Sequence, residues 1–280
     1  MAASEETDSN DMTPEAVIAR AIARRGEIFD EFRLIATEVP RTYDLISTTA
    51  GYMHHYQGAE GARQQLSGAM RELIALCQLA AKGDDRFAAN HVRRLYERGV
   101  TNKVMFEAAA AIAAIVGWST IGHVATAILT ANDRAYPYGK LPPDGPPKKL
   151  TPFPELAIGK GKPIESTDSF LNAPEWRYVA ELDAQLARRC ARWLGHCLLP
   201  ETGTEELGPG ARAMIALAAL CARGEEKAAA HNIRRAYAYG VTRIQVLEAI
   251  SCVLPMTGAE TLQIGVRAMQ LADTPPDEQP

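Results

Sequence analysis

Residues 66–117 recur at 207–258 with a constant offset of 141, no gap, and identity at 19 of 52 positions. Self-similarity in so clean a register marks a duplicated supersecondary unit, so both segments must suit the same local fold. The copies differ where it matters most. Asn90-His91 in the first stands against the transposed His231-Asn232 in the second, and Glu72 stands against Ala213. Polar residues that one copy keeps and the other discards direct the search for chemistry to the first half.

Helix punctuation runs through both copies. Ser67 is placed to cap a helix running to about Ala81, Lys82-Gly83-Asp84 makes a turn, and a second helix spans 85–98 with Gly99 as its stop and Thr101 capping a third. The second copy repeats these signals at Gly208-Pro209, Gly224, Gly240 and Thr242. Strand signals are nearly absent, so the expected fold is all-α, with two tandem helical units. The expected division is a polar tail at 1–12, a first unit at 13–134 that holds the active copy, a Pro/Gly-rich linker at 135–165, a second, degenerate unit at 166–272 and a tail at 273–280.

Composition narrows the function classes. The 280 residues are 47% hydrophobic and 23% charged, the make-up of a soluble globular chain. Formal net charge is −4 and the basic residues are dispersed, so no nucleic-acid footprint exists and no nucleic-acid partner is expected. The first dozen residues are acidic and polar, unlike a secretory signal, and the Ala-rich run at 106–116 is too short to span a bilayer. A cytoplasmic protein with no membrane association is the expectation. Five cysteines, an odd number with no C-x-x-C pair, fit reduced thiols packed in a core. No H-x-x-x-H or H-E-x-x-H pair and no phosphate-cradling loop is present, so neither metal nor cofactor is expected.

At about 100° per residue, Phe87, His91 and Leu95 share one side of the second helix, while Arg86, Arg93 and Glu97 project to the far side. On the first helix Glu72 lies in line with Leu76 and Leu79, and Ala at the matching place in copy two marks this as interior. A carboxylate among leucines is costly unless paired. His91, on the facing helix of an antiparallel hairpin, is the candidate partner. Catalysis is thus assigned to His91 and Glu72. Substrate-lining candidates are His123 and Trp118 after the third helix, Tyr52, His55 and Tyr56 in the segment before the unit, and Arg94, which borders the His91 line. Glu107 and Glu248, present in both copies, read as structural.

The string RELIALCQLAAKGDDRFAANHVRRLYERGVTNKVMFEAAAAIAAIVG resembles the carboxymuconolactone decarboxylase family, which includes the alkylhydroperoxidase D-like proteins. The resemblance is carried by Arg71-Glu72-Leu73, a histidine 19 residues after the Glu, Gly99-Val100-Thr101, Glu107 and Gly117, and in the second half by Arg212, Asn232, Gly240-Val241-Thr242, Glu248 and Gly258. It implies alkylhydroperoxidase D-like helical units that pack into trimers or hexamers, so a two-unit chain is expected as a homotrimer. His91 falls at the family's histidine and Glu72 at the proton-relay glutamate of the peroxidase branch. The peroxidase cysteines do not carry over, since Asp84 and Phe87 occupy their spacing, and decarboxylase members tend to place a Glu where this chain has Phe87. The function these residues imply is a cofactor-independent lyase, decarboxylase-like, acting on a small unsaturated carboxylated or lactone compound from aromatic catabolism. His91 would transfer the proton and Glu72 would orient it. An isomerase, a retro-aldol lyase, a non-catalytic ligand-binding scaffold and a metal-dependent variant are the alternatives.

Overall fold

The computed structural model describes residues 11–54, 65–162, 174–199 and 205–274, and among these it is helical without a strand. The chain condenses into two compact units divided after residue 62. The first is a three-helix cluster of α1 (Pro14–Arg25), α2 (Asp30–Glu38) and α3 (Pro40–His54). Proline in the first turn of α1 fits the helix start, where no backbone donor is needed, and Gly26 ends the helix in a left-handed cap. Val17, Ala21, Ile28, Ala36 and Tyr43 close the small core.

The second unit contains both copies of the repeat. Its helices are α4 (Gly68–Ala81), α5 (Asp85–Glu97), α6 (Asn102–Val116), α7 (Ser119–Asn132), α8 (Pro174–Leu182), α9 (Ala184–Leu198), α10 (Pro209–Ala222), α11 (Glu226–Tyr239), α12 (Arg243–Ser251), α13 (Leu254–Thr257) and α14 (Glu260–Asp273). The offset of 141 carries α4 onto α10 and α7 onto α14 end to end, so the helical match extends past the segment where sequence identity is visible. Ser67 Oγ accepts from the Met70 amide and Asp84 from that of Phe87, the caps that start α4 and α5. Both α4 and α10 are buried along almost their whole length and pack on each other, α5 covering the first and α11 the second. That explains why, apart from Arg71, Glu72, Gln78 and Arg212, these two helices carry apolar or small residues on every side.

Two carboxylates stitch the copies together reciprocally. Glu248 on α12 accepts from the Gln65 and Leu66 amides at 3.0 and 2.8 Å and from Arg71 Nη2 at 2.9 Å. Its counterpart Glu107 on α6 accepts from the Glu206 and Leu207 amides and sits 3.5 Å from Arg212 Nη2. Each copy therefore anchors the chain that enters the other's central helix, the structural role read from their duplication.

The boundary expected at 134/135 falls inside the larger unit, where the chain that follows is bonded to its neighbours, and the one expected at 165/166 lies outside the described residues. Arg93 donates to the carbonyls of Ala131, Asp133, Tyr136, Tyr138 and Gly139, and its guanidinium lies 4.8 Å from the Tyr136 ring centre. Farther on, Thr151 N donates to Gly99 O; a Cβ on Gly99, at φ 71°, would meet Thr151 Oγ1 at 2.0 Å, so that crossing needs glycine. The 3-10 turn Pro154–Ala157 then sets buried Glu155 against the Ser67 amide and hydroxyl at 2.7 and 2.6 Å, while Leu156 O and Ile158 O accept from Gly208 and Gly210.

Candidate active site

The turn after Ala81 folds α5 back along α4, which brings residues at similar distances from the turn face to face. Glu72 and His91 meet in this way, with His91 Nδ1 2.6 Å from Glu72 Oε2. The contact is charge-assisted when the imidazole is protonated. The Glu72 side chain is 2% exposed and that of His91 is 14% exposed. The pair thus runs outward from a buried carboxylate to an imidazole at the edge of the solvent. With Nδ1 held, the ring orientation and the tautomer are set by Glu72.

Two more cations border the carboxylate. Arg94 Nη1 is 3.8 Å and Arg98 Nη2 4.0 Å from Glu72 Oε1, distances of electrostatic neighbours rather than of hydrogen bonds. Arg94, which an amphipathic reading puts at the surface by default, has a side chain only 12% exposed. Arg93 requires a correction. The helical projection assigns it to the far, polar side, yet it is buried, because residues 133–139 wrap back over that side of α5 and fill it with carbonyls. Tyr136 Oη donates to Arg86 O in the same wrap.

The other sequence-derived candidates are scattered. His123 Nδ1 is 2.9 Å from Asp85 Oδ1, at the first turn of α5. Asp85 precedes His91 by six residues, roughly 9 Å along the helix axis and on another side of it. The structure therefore ties His123 to Asp85 instead of to the Glu72–His91 pair. Trp118 caps α7 and is 75% exposed, a solvent-facing ring and not a core packing group. Tyr52 is exposed on α3 in the first unit, and His55 and Tyr56 lie outside the described residues. A shallow pocket lined by Arg93, Arg134, Tyr136, Gly139 and Leu141 belongs to the wrapped segment and does not include His91.

The second copy has no such pair. Ala213 is buried at the place of Glu72, Asn232 turns its amide back to the Ala228 carbonyl at 3.0 Å, and His231 is exposed with Nε2 3.4 Å from Arg235. The four buried thiols offer no substitute nucleophile: burial raises Cys77 and Cys197 and pushes Cys221 and Cys252 up to about 12, and Cys190 lies on α9, outside the repeat. Asp84, at one of the peroxidase cysteine positions, is occupied as the cap of α5. Among the described residues no three His, Cys, Asp or Glu side chains converge to hold a metal ion. No described helix is long and apolar enough to cross a membrane. Sequence reasoning assigns nothing to Arg98 or to Asp85, both of which the structure brings to a histidine or its carboxylate partner.

Residues 48–136 match the carboxymuconolactone decarboxylase family, a span that contains α4 to α7 with Glu72 and His91. No curated protein matches the chain.

Proposed function

Because residues 48–136 match the carboxymuconolactone decarboxylase family, we propose that the protein is a cofactor-independent lyase of the decarboxylase type, with His91 as the proton-transferring residue and Glu72 as its orienting partner. The observation that carries this reading is the 2.6 Å contact between a buried carboxylate and a partly exposed imidazole, retained in one copy of the repeat and dismantled in the other. The family match supports the coarser statement, a decarboxylase-like or alkylhydroperoxidase D-like function. The absence of cysteines at the peroxidase spacing favours the first.

The chemistry follows from the charge flow. When a carboxylate attached to an unsaturated lactone leaves as CO2, its bonding pair moves into the conjugated system and forms a dienolate. His91, protonated and positioned by Glu72, delivers a proton from Nε2 to the terminal carbon of that dienolate, and the neutral imidazole recovers its proton from solvent. The buried carboxylate opposes the imidazolium throughout, so the ring need not reorganise between steps. The second copy serves as a scaffold for the first through the Glu107 and Glu248 anchors.

Incubation of the protein with γ-carboxymuconolactone and related unsaturated lactone acids, with CO2 release followed, tests the proposal. Release that His91→Ala abolishes while the fold is retained would bear it out; no release by the wild type would exclude decarboxylation of these compounds. We further propose that the chain assembles as a homotrimer, the two-unit equivalent of a six-unit ring. A monomeric mass in light scattering at micromolar concentration would overturn that assembly.

A further inference from the structure

We propose that Arg98 binds a substrate carboxylate beside the Glu72–His91 pair, which makes the site selective for anionic, carboxylated molecules; the inference rests on the acid–base reading of that pair. Arg98 follows α5 one turn beyond Arg94, and its Nη1 donates to the Arg94 carbonyl at 2.9 Å, which fixes the plane of the guanidinium. Nη2 then sits 4.0 Å from Glu72 Oε1, beyond hydrogen-bonding distance. The side chain is 38% exposed, against 2% for Glu72. The Nη2 group thus lies toward the buried carboxylate while more than a third of the side chain stays exposed, so that a carboxylate arriving from solvent can reach the guanidinium. Arg94 and Arg98 place two positive charges within 4.0 Å of Glu72 Oε1, beside the imidazole that Glu72 holds.

Two further observations separate Arg98 from an ordinary surface arginine. A Cβ on Gly68 would come within 2.8 Å of Arg98 Nε, so the side chain lies against the start of α4 at a point that glycine leaves open. The repeat then sorts the arginines. Arg93 and Arg94 recur as Arg234 and Arg235, whereas Arg98 is replaced by Tyr239 and Gly68 by Pro209. In the second copy that place is closed: Tyr239 is buried, and a Cβ on Gly159 of the crossing chain would meet both Pro209 and Tyr239 at 2.9 Å. Arg98 and its glycine therefore belong with Glu72 and His91, the residues that the first copy alone retains.

The test compares wild type, Arg98→Gln and Arg98→Lys in titrations with muconolactone, an unsaturated lactone acid, and with its methyl ester, following the His91 imidazole resonances. Arg98→Gln is expected to weaken binding of the acid about ten- to hundredfold and leave the ester unchanged, with Arg98→Lys recovering part of the loss. Unchanged affinity for the acid in Arg98→Gln, equal weakening of acid and ester, or binding of neither probe by the wild type would overturn the assignment. CO2 release is read separately. Discrimination of acid from ester without turnover would refute the decarboxylation reading and leave Arg98 as assigned. Turnover whose KM Arg98→Gln does not alter would do the opposite.

Discussion

Replacing Glu248 by alanine removes the acceptor for two backbone amides and for Arg71, whose side chain is 2% exposed. Arg71 would keep its 2.7 Å bond to the Leu66 carbonyl but lose the opposing charge at 2.9 Å. Stranding a buried charge costs about 3–5 kcal/mol, and the partial exposure of Glu248 brings the expectation to about 3 kcal/mol. Glu107→Ala should cost about 1 kcal/mol less, because Arg212 lies 3.5 Å from Glu107 and also donates to the Leu207 and Cys197 carbonyls. Urea denaturation followed by far-ultraviolet circular dichroism measures both losses. Adding Arg71→Met to Glu248→Ala should recover part of the stability, since the unpaired guanidinium is then gone. A loss below about 1 kcal/mol for Glu248→Ala, or a double variant less stable than the single one, would refute the reasoning.

Other outcomes follow from the same structure. Arg93→Ala should destabilise the fold by about 3–4 kcal/mol and open residues 131–139 to hydrogen exchange, with Arg93→Lys recovering little because one ammonium cannot serve five carbonyls. Alkylation of the native protein at pH 8, mapped by mass spectrometry, should modify Cys190 and spare the four buried cysteines, since a thiol pushed up to about 12 is ionised to a fraction of only about 10⁻⁴ there. Tyr96 is raised from 10.0 to about 12, and Cys221 and Cys252 from 9.0 to about 12, chiefly by burial. These groups ionise earlier in the unfolded chain than in the folded one. Their stabilisation is therefore complete below pH 9 and lost as pH climbs towards 12, a decline that thermal unfolding at stepped pH would show.

The central helices and the Glu72–His91 contact were readable because duplication compares a sequence with itself. Glu72 against Ala213 and the exchanged Asn-His are visible without coordinates, and capping residues fixed the turn that brings the pair together. The same comparison would have singled out Arg98 against Tyr239, but an arginine in the last turn of a helix also satisfies ordinary end-of-helix electrostatics, so the mismatch carried little weight on its own. Arg93 was illegible for another reason. Periodicity tells which residues share a side of α5, not what covers that side, and here residues 133–139 of the chain do so. His123 and Asp85 lie 38 positions apart on different helices, and no periodic or motif signal links them.

The proposed decarboxylation depends on His91 as the proton donor. Turnover of an unsaturated lactone acid in deuterium oxide, with the product analysed by proton nuclear magnetic resonance, reads that step directly. The expected result is one deuterium on a single face of the newly protonated carbon, with kcat lowered about 10²–10⁴-fold in His91→Ala and clearly reduced in Glu72→Gln. Equal deuteration of both faces by the wild type, or His91→Ala turning over at the wild-type rate with the same stereochemistry, would contradict it.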